Sequence, residues 1–377
     1  MDPAIRLLRE LVAIDSVNPT LVPGAAGEAD IARAIAGEMR RFGLDVELQE
    51  LVPGRSNVTG LLEGRSKGRT LMFCGHTDTV GVAGMEAPFS PVERNGRLYG
   101  RGAQDMKGGV AAMIAATRAI VEAGGLSSGR IVIAAVVDEE HSSIGAEALV
   151  TRWAADAAVV TEPTDLGIAV VHKGFAWVEV EVLGKAAHGS RPRDGEDAIL
   201  RLGRVLARLE ALDVTLQARP PHALVGTASL HASLIEGGRE LCSYPDRAVL
   251  QLERRTLPEE PETIALEEVR LILDALKVED STFRATAKTL FSRPAYELPA
   301  GHALPEHLAS ALEHVGGAPR LTGASFWTDA AVLGHAGIPS VLFGPGGAGL
   351  HSTEEYVNVA DVLVCRDALA ELARRFC

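Results

Sequence analysis

The chain has 377 residues, of which 47% are hydrophobic and 23% are charged, so it is long enough for two or more domains with separate cores. Its formal net charge of -13 argues against nucleic acid or an anionic membrane surface as a partner, because both require positive charge on the protein. A small molecule is therefore the expected ligand.

The cysteines are widely spaced and form no CxxC pair: Cys74, Cys242, Cys365 and Cys377. This spacing favours reduced thiols over a disulfide framework or a thiolate zinc site. The first residues contain no basic segment followed by a hydrophobic stretch, and no apolar run is long enough to cross a bilayer. We therefore expect a cytoplasmic protein.

The first part of the chain alternates helical and strand patterns, which is typical of an α/β fold. Helices are predicted over residues 3–14, 28–42 and 108–121, and strands over 44–51, 58–62, 71–74, 131–137 and 157–160. A loop rich in Gly and Pro is expected between Cys74 and Gly100. Asp105 then lies near the start of the Ala-rich helix, where the helix dipole favours an ionised carboxylate.

From about residue 174 the pattern changes to that of a smaller unit. It predicts, in order, a strand at 175–182, a helix at 197–212, strands at 227–235 and 248–255, a helix at 263–276 and a strand at 282–290. The βαββαβ order is that of a ferredoxin-like domain. A helix at 302–315 and a strand at 338–343 then resume the first pattern. We predict a mixed-sheet catalytic domain formed by residues 1–173 and 291–377, with residues 174–290 inserted into it.

Potential metal ligands follow four of the predicted buried strands. They are His76, the pair Glu139 and Glu140, Glu162, and His351 after a glycine-rich loop. Ligands of open α/β sheets bind beyond the carboxyl ends of the strands, so these residues can converge. Taken singly, each also fits a solvated turn. Together they provide His and carboxylate donors without thiolate, which suits zinc, cobalt or manganese.

Two adjacent carboxylates allow one to bind a metal while the other moves a proton, as a metal-assisted hydrolase requires. The glycine-rich loop before His351 lacks the Lys-Ser/Thr of a P-loop, so phosphate binding is disfavoured. The pair His76 and Asp78 is typical of a histidine ligand whose second ring nitrogen is held by a carboxylate.

The chain resembles the M20 family of co-catalytic zinc amidohydrolases and peptidases over essentially its whole length. The resemblance rests on ordered motifs: GHTDTV at 75–80, GRGAQDMKGG at 100–109, DEEHSSIGA at 138–146, TEPT at 161–164, GKAAHGSRP at 184–192 and GPGGAGLHSTEEYV at 344–357. It implies a zinc-peptidase-like catalytic domain with an inserted lid and dimerisation domain.

The resemblance also implies a role for each matching residue. Two divalent ions, zinc first and cobalt or manganese as alternatives, would be bound by His76 and Glu162 on one side, Glu140 and His351 on the other, and Asp105 between them. Asp78 would orient His76, and Glu139 would be the general base for the attacking water. In the inserted domain, His188 would stabilise the oxyanion in the partner subunit of a homodimer, and Arg255 would bind a substrate carboxylate, a task that Arg254 could share.

The inserted domain departs from the family at two positions. Cys242 stands where many members carry Asn, and Glu253 stands where they carry Asp ahead of the lid arginine. Cys offers a weaker donor and acceptor than Asn, so the substrate contacts of other members do not transfer to this chain.

The resemblance predicts an enzyme that cleaves the amide bond of a small N-acyl amino acid, as a deacetylase or desuccinylase does. An M20-type dipeptidase or carboxypeptidase acting on a short peptide is the alternative. A non-catalytic ligand-binding protein of the same fold is a third hypothesis, and it would require loss of the base or of a ligand.

Overall fold

A computed structural model describes all residues, Met1–Cys377. The helices are α1 (Pro3–Val12), α2 (Ala29–Arg41), α3 (Gly108–Glu122), α4 (Ile144–Val150), α5 (Ala198–Gln217), α6 (Ile264–Glu279), α7 (Leu304–His314), α8 (Ala330–His335) and α9 (Val359–Phe376). The first helix shows how local chemistry sets these limits. Pro3 occupies the first helical turn and the Asp2 side chain accepts a hydrogen bond from the Ala4 N–H.

Seventeen strands accompany the helices. They are β1 (Asp45–Val52), β2 (Arg55–Glu63), β3 (Thr70–His76), β4 (Val92–Arg94), β5 (Arg97–Tyr99), β6 (Arg130–Val136), β7 (Ala157–Val160), β8 (Ile168–His172), β9 (Gly174–Leu183), β10 (Ser229–Gly237), β11 (Arg247–Thr256), β12 (Arg284–Arg293), β13 (Tyr296–Glu297), β14 (Leu321–Ala324), β15 (Ser340–Leu342), β16 (Gly347–Ala348) and β17 (Tyr356–Asn358).

The chain divides into two compact units. The first contains Met1–Val170, Leu298–Gly323 and Thr328–Cys377, and the second contains Val171–Glu297 with Ala324–Trp327. The mixed α/β fold expected from the sequence is confirmed. No helix combines the length and the apolar character that crossing a membrane requires.

The first unit is built on a mixed sheet in the order β1-β2-β6-β3-β7-β15-β8, with β14 beside β8. Strands β6, β3, β7 and β15 are parallel neighbours, whereas β1, β2 and β8 join antiparallel. All residues of β3 and β7 are buried. Their near-continuous apolar sequence is therefore that of strands covered on both faces. Because they are parallel, their carboxyl ends lie at the same edge of the sheet.

A second, small sheet of the first unit has the order β16-β17-β5-β4. Strands β4 and β5 lie within the segment for which the sequence predicted only a loop, so that expectation was incomplete. Each has three residues, and β17 supplies the partner for β5 from more than two hundred residues later in the chain. Short strands of this kind depend on distant pairing, so local propensity does not reveal them.

The second unit follows the order β9-α5-β10-β11-α6-β12, and its antiparallel sheet has the order β10-β11-β9-β12. One face of β9 is apolar because Ala176, Val178, Val180 and Val182 alternate with partly exposed residues. These side chains form a separate core with apolar residues of α5 and α6. A role for this unit as a lid or dimerisation domain stays a prediction.

The start of α3 lies against the end of β7 in the first unit. A Cβ built on Gly109 would be 1.9 Å from the carbonyl oxygen of Thr161, the residue before Glu162. We expect Gly109→Ala to destabilise the protein by about 2 kcal/mol, because either the helix or the strand end must shift. Urea denaturation measures this change.

The matched control is Gly37→Ala in α2, where an added Cβ meets nothing within 4 Å. It should raise the stability by about 1 kcal/mol, because alanine favours a helix interior over glycine. Equal effects of the two substitutions would contradict the close approach of α3 to β7.

Candidate metal centre

Three parallel strands deliver potential ligands to the same edge of the first unit's sheet. His76 is the last residue of β3, Glu162 lies two residues beyond the end of β7, and Glu139 and Glu140 follow β6. Because β3 pairs with β6 on one side and with β7 on the other, these side chains start from adjacent strand ends. The structure brings them together as the sequence predicted.

His76 lies at the centre of one half of the cluster. Its Nε2 atom is 3.0 Å from Asp105 Oδ1, 3.9 Å from Glu139 Oε2 and 4.0 Å from Glu162 Oε1. The imidazole is buried, with 1% of its side chain exposed. One imidazole therefore faces several carboxylates away from bulk water.

His351 forms the other half of the cluster. Its Nε2 atom is 3.2 Å from Glu140 Oε2 and 3.4 Å from Asp105 Oδ2. Asp105 thus presents Oδ1 to His76 and Oδ2 to His351. A carboxylate that turns one oxygen to each side has the geometry to bridge two cations.

In the cluster, several carboxylates lie close together, and the nearby positive charge does not offset all of their negative charge. Burial raises the pKa of Glu139 and of Glu162 well above the usual value, and neighbouring carboxylates add to this shift. Burial also raises the pKa of Glu140. A cation at the centre would offset the repulsion that disfavours these carboxylates in their ionised form.

The imidazoles compensate for part of this charge. Burial lowers the pKa of His76, but the hydrogen bond to Asp105 and the charges of Glu162 and Glu139 outweigh it, so the pKa lies well above its usual value. Contacts with Asp105 and Glu140 raise the pKa of His351 to about 10. Burial opposes ionisation of Asp105, yet the contacts with both imidazoles leave its pKa lowered.

The donor atoms form two overlapping groups, both containing His76, that could hold a metal ion. His76, Glu139 and Glu162 offer ligand atoms within 4.8 Å of one another, as do His76, Asp105 and Glu140. In addition, Glu140 Oε1 is buried and has no hydrogen-bond partner. A buried carboxylate oxygen of this kind is costly unless something binds it, and a metal ion would.

Asp78 makes a different contact from the one that the HxD pattern suggested. Its main-chain carbonyl lies 3.0 Å from His76 Nδ1, whereas the carboxylate Oδ1 is 3.7 Å away. The carboxylate instead accepts hydrogen bonds from the main-chain N–H groups of Glu139 and Glu140, at 3.1 and 3.2 Å. Asp78 therefore holds both the imidazole of His76 and the turn after β6, through different atoms.

A buried polar network behind this turn was not found from the sequence. Asn18 Nδ2 donates to Asp78 Oδ2 at 2.8 Å and to Asp138 Oδ1 at 3.0 Å. Arg55 lies 2.8 Å from the same Asp138 oxygen and also pairs with Glu28. Asn18 precedes a proline, so its local sequence indicates only a turn. Its contacts form with residues 60 and 120 positions away.

The remaining predicted residues belong to the second unit. His188 is exposed in the loop after β9, and its Nδ1 is 2.8 Å from Ser190 Oγ. Arg255 is partly exposed, donates from Nε to Glu253 at 2.7 Å and lies over the ring of Phe175.

Arg254, next to Arg255, is buried, whereas Cys242, near His188, is exposed. Arg254 is fully buried and pairs with Glu260 and Glu268, so the idea that it shares a substrate contact with Arg255 does not fit the structure. Cys242 is exposed, and its carbonyl accepts a hydrogen bond from the Gly189 N–H next to His188.

The contacts of Asn18 generate a test of the network behind the turn. We expect Asn18→Ala to destabilise the protein by about 3 kcal/mol, because two hydrogen bonds to buried carboxylates are lost. The midpoint of urea denaturation measures this loss. An unchanged midpoint would show that Asp78 and Asp138 do not depend on the Asn18 amide.

Comparison with known proteins identifies the family to which this chain belongs. The profile of Peptidase family M20/M25/M40 matches residues 72–375. The acetylornithine deacetylase of Myxococcus xanthus is 31% identical over 392 aligned positions, which cover 100% of this chain and 98% of that protein. The N-formyl-4-amino-5-aminomethyl-2-methylpyrimidine deformylase of Bacillus subtilis (strain 168) is 28% identical, with coverage of 95% and 91%.

The similarity extends to solved structures. The YXEP protein of Bacillus subtilis, a dinuclear metal binding peptidase from the M20 family, superposes with a TM-score of 0.76 at 16% identity, covering 99% of this chain and 97% of that one. At this identity the superposition shows the fold alone. Together with the profile match and the sequence relatives, it confirms the family resemblance expected from the motifs. The chain belongs to Peptidase family M20/M25/M40 and is a metal-dependent amidohydrolase.

Proposed function

We propose that the protein hydrolyses the amide bond of a small N-acyl amino acid, as a deacetylase or desuccinylase does. The observation that carries this proposal is the Asp105 carboxylate, which turns one oxygen to His76 and the other to His351. The similarity to an acetylornithine deacetylase over the whole chain supports the substrate class.

In this proposal His76 and Glu162 would hold one divalent ion, Glu140 and His351 would hold a second, and Asp105 would contribute to both. Imidazole and carboxylate donors suit zinc, with cobalt and manganese as alternatives. When bound, the ions supply Lewis acidity, which polarises the substrate carbonyl and makes a water molecule a stronger acid.

Glu139 is the proposed general base. Its side chain lies in the cluster, 3.9 Å from His76 Nε2, and its main chain is anchored by Asp78. Burial raises the pKa of this carboxyl, which makes it a better proton acceptor than a solvated glutamate. Glu139 takes the proton of the attacking water and then passes it to the departing amine.

The second unit supplies the proposed substrate contacts. Arg255 binds a substrate carboxylate, because a planar guanidinium pairs well with two oxygens. His188 donates to the developing oxyanion from the partner subunit of a homodimer. Its exposure leaves the imidazole free to reach a second copy.

We propose that this homodimer forms through the second unit. Strand β10 is at an edge of its sheet, and Leu234 and Ile235 on this strand expose 66% and 61% of their surface. An exposed edge strand with apolar side chains is a surface that an identical strand can cover.

A dipeptidase or carboxypeptidase activity is the alternative, since a free carboxylate on a short peptide would suit Arg255 equally. A non-catalytic protein of this fold is disfavoured by the sequence, because the base and all five ligands are present. The substrate of the enzyme and the localisation expected from the sequence, cytoplasmic, stay predictions.

Replacement of the proposed base separates catalysis from metal binding. We expect Glu139→Gln to lower kcat at least 100-fold, because the proton acceptor is lost, while two metal ions still bind. Steady-state kinetics and metal analysis of the same preparation measure both effects.

The control is Glu313→Gln on the exposed side of α7, which should leave kcat unchanged. If Glu139→Gln retained most of the activity, Glu139 would not be the general base. If the native protein bound no divalent metal, the whole proposed mechanism would be wrong.

A substrate panel distinguishes the deacylase from the peptidase. We expect the highest kcat/KM for N-acetyl or N-succinyl amino acids, with lower values for N-formyl amines and dipeptides, when zinc or cobalt is added. Arg255→Ala should raise KM for substrates with a free carboxylate about 10-fold or more, because a charge-assisted pair is lost. A preference for dipeptides would support the alternative activity.

A further inference from the structure

Glu355 is a buried carboxylate that the mechanism does not use. It lies four residues after His351, and 1% of its surface is exposed. Both of its oxygens are engaged by donors from the segment that carries Asp105. Oε2 accepts from Arg101 Nη1 at 2.6 Å and from the Gly102 N–H at 3.0 Å. Oε1 accepts from the N–H groups of Gln104 at 2.9 Å and Asp105 at 3.1 Å.

These contacts join two segments that each carry one of the proposed ligands. Asp105 lies in the turn Ala103–Lys107 after β5, and His351 lies in the loop between β16 and β17. Arg101 strengthens the connection, because its Nη2 donates to the carbonyl of Ser352 at 2.9 Å. The pairing of β17 with β5 brings the ends of both segments to the same place.

The turn at Asp105 depends on these hydrogen bonds for its shape. The main-chain N–H groups of Gly102, Gln104 and Asp105 donate to one carboxylate, and a buried N–H without an acceptor is unfavourable. The residues of the turn do not supply these acceptors themselves. A charged acceptor anchored by Arg101 therefore fixes where the Asp105 main chain lies, and with it the direction of the bridging carboxylate.

We infer that Glu355 is a positioning residue for the metal pair: it holds the segment of Asp105 against the loop of His351 without contacting either side chain. This inference rests on the ligand assignment of the proposed function. Residues behind the ligands typically change metal affinity 10–100-fold when they are replaced. Glu355 should thus control metal affinity although it binds no metal.

The test is a calorimetric and spectroscopic titration of the metal-free protein with cobalt(II). The native protein should bind two ions. In Glu355→Gln, an amide NH2 replaces one carboxylate oxygen, so two of the four donors lose their acceptor. We expect at least one of the two cobalt affinities to fall 10-fold or more, with a changed visible absorption band of the bound cobalt.

Glu38→Gln is the matched control. Glu38 is also a buried carboxylate held by arginines, at 2.7 Å from Arg6 and Arg41, but none of its partners is a proposed ligand. It should lower the thermal midpoint while both cobalt affinities stay within twofold of the native values. If Glu38→Gln lost as much cobalt affinity as Glu355→Gln, the loss would reflect general destabilisation and the inference would be overturned.

A second variant covers the case in which Glu355→Gln does not fold. The double substitution Arg101→Met with Glu355→Gln removes both charges and leaves no buried charge unpaired. It should show the same loss of cobalt affinity. Native affinity for both ions in either folded variant would overturn the role of Glu355 while leaving the proposed function intact. Failure of the native protein to bind two ions would overturn both.

Discussion

The crowding of four carboxylates and two imidazoles at one sheet edge is the constraint on which the rest of the site depends. Parallel neighbours β6, β3 and β7 end side by side, so the side chains that follow them start from adjacent positions. Burial raises the pKa of Glu139, Glu140 and Glu162, which shows that the folded chain holds these groups where their ionised forms are unfavourable. In the proposed function, a pair of divalent metal ions would offset this repulsion.

The main chain around the proposed ligands is held by a layer of buried polar and charged side chains. Asp78 fixes the turn of Glu139 and Glu140 through their N–H groups, and Asn18 connects Asp78 to Asp138. Glu355 accepts equivalent bonds from the turn of Asp105 on the other side. In both cases a carboxylate binds the main chain of a proposed ligand and not the side chain that would hold a metal.

Much of the fold was predictable because its signals are local. The buried strands β3, β6 and β7 read as apolar runs, and α1 begins at a capping Asp followed by Pro. The short strands β4, β5, β16 and β17 were not predicted, because they have two or three residues and gain stability only from distant partners. The missed residues of the site, Asn18 and Glu355, act through contacts of the same long-range kind.

The sequence by itself determined the kinds of donors and the strands that carry them, since residue type and hydrophobic pattern are properties of short segments. Only the tertiary structure decided which atom meets which. It turned the two oxygens of Asp105 to different imidazoles, directed the Asp78 carboxylate to the backbone of the next strand's turn and buried Arg254 between two glutamates. These contacts depend on the distances between residues far apart in the chain, and no local sequence pattern contains those distances.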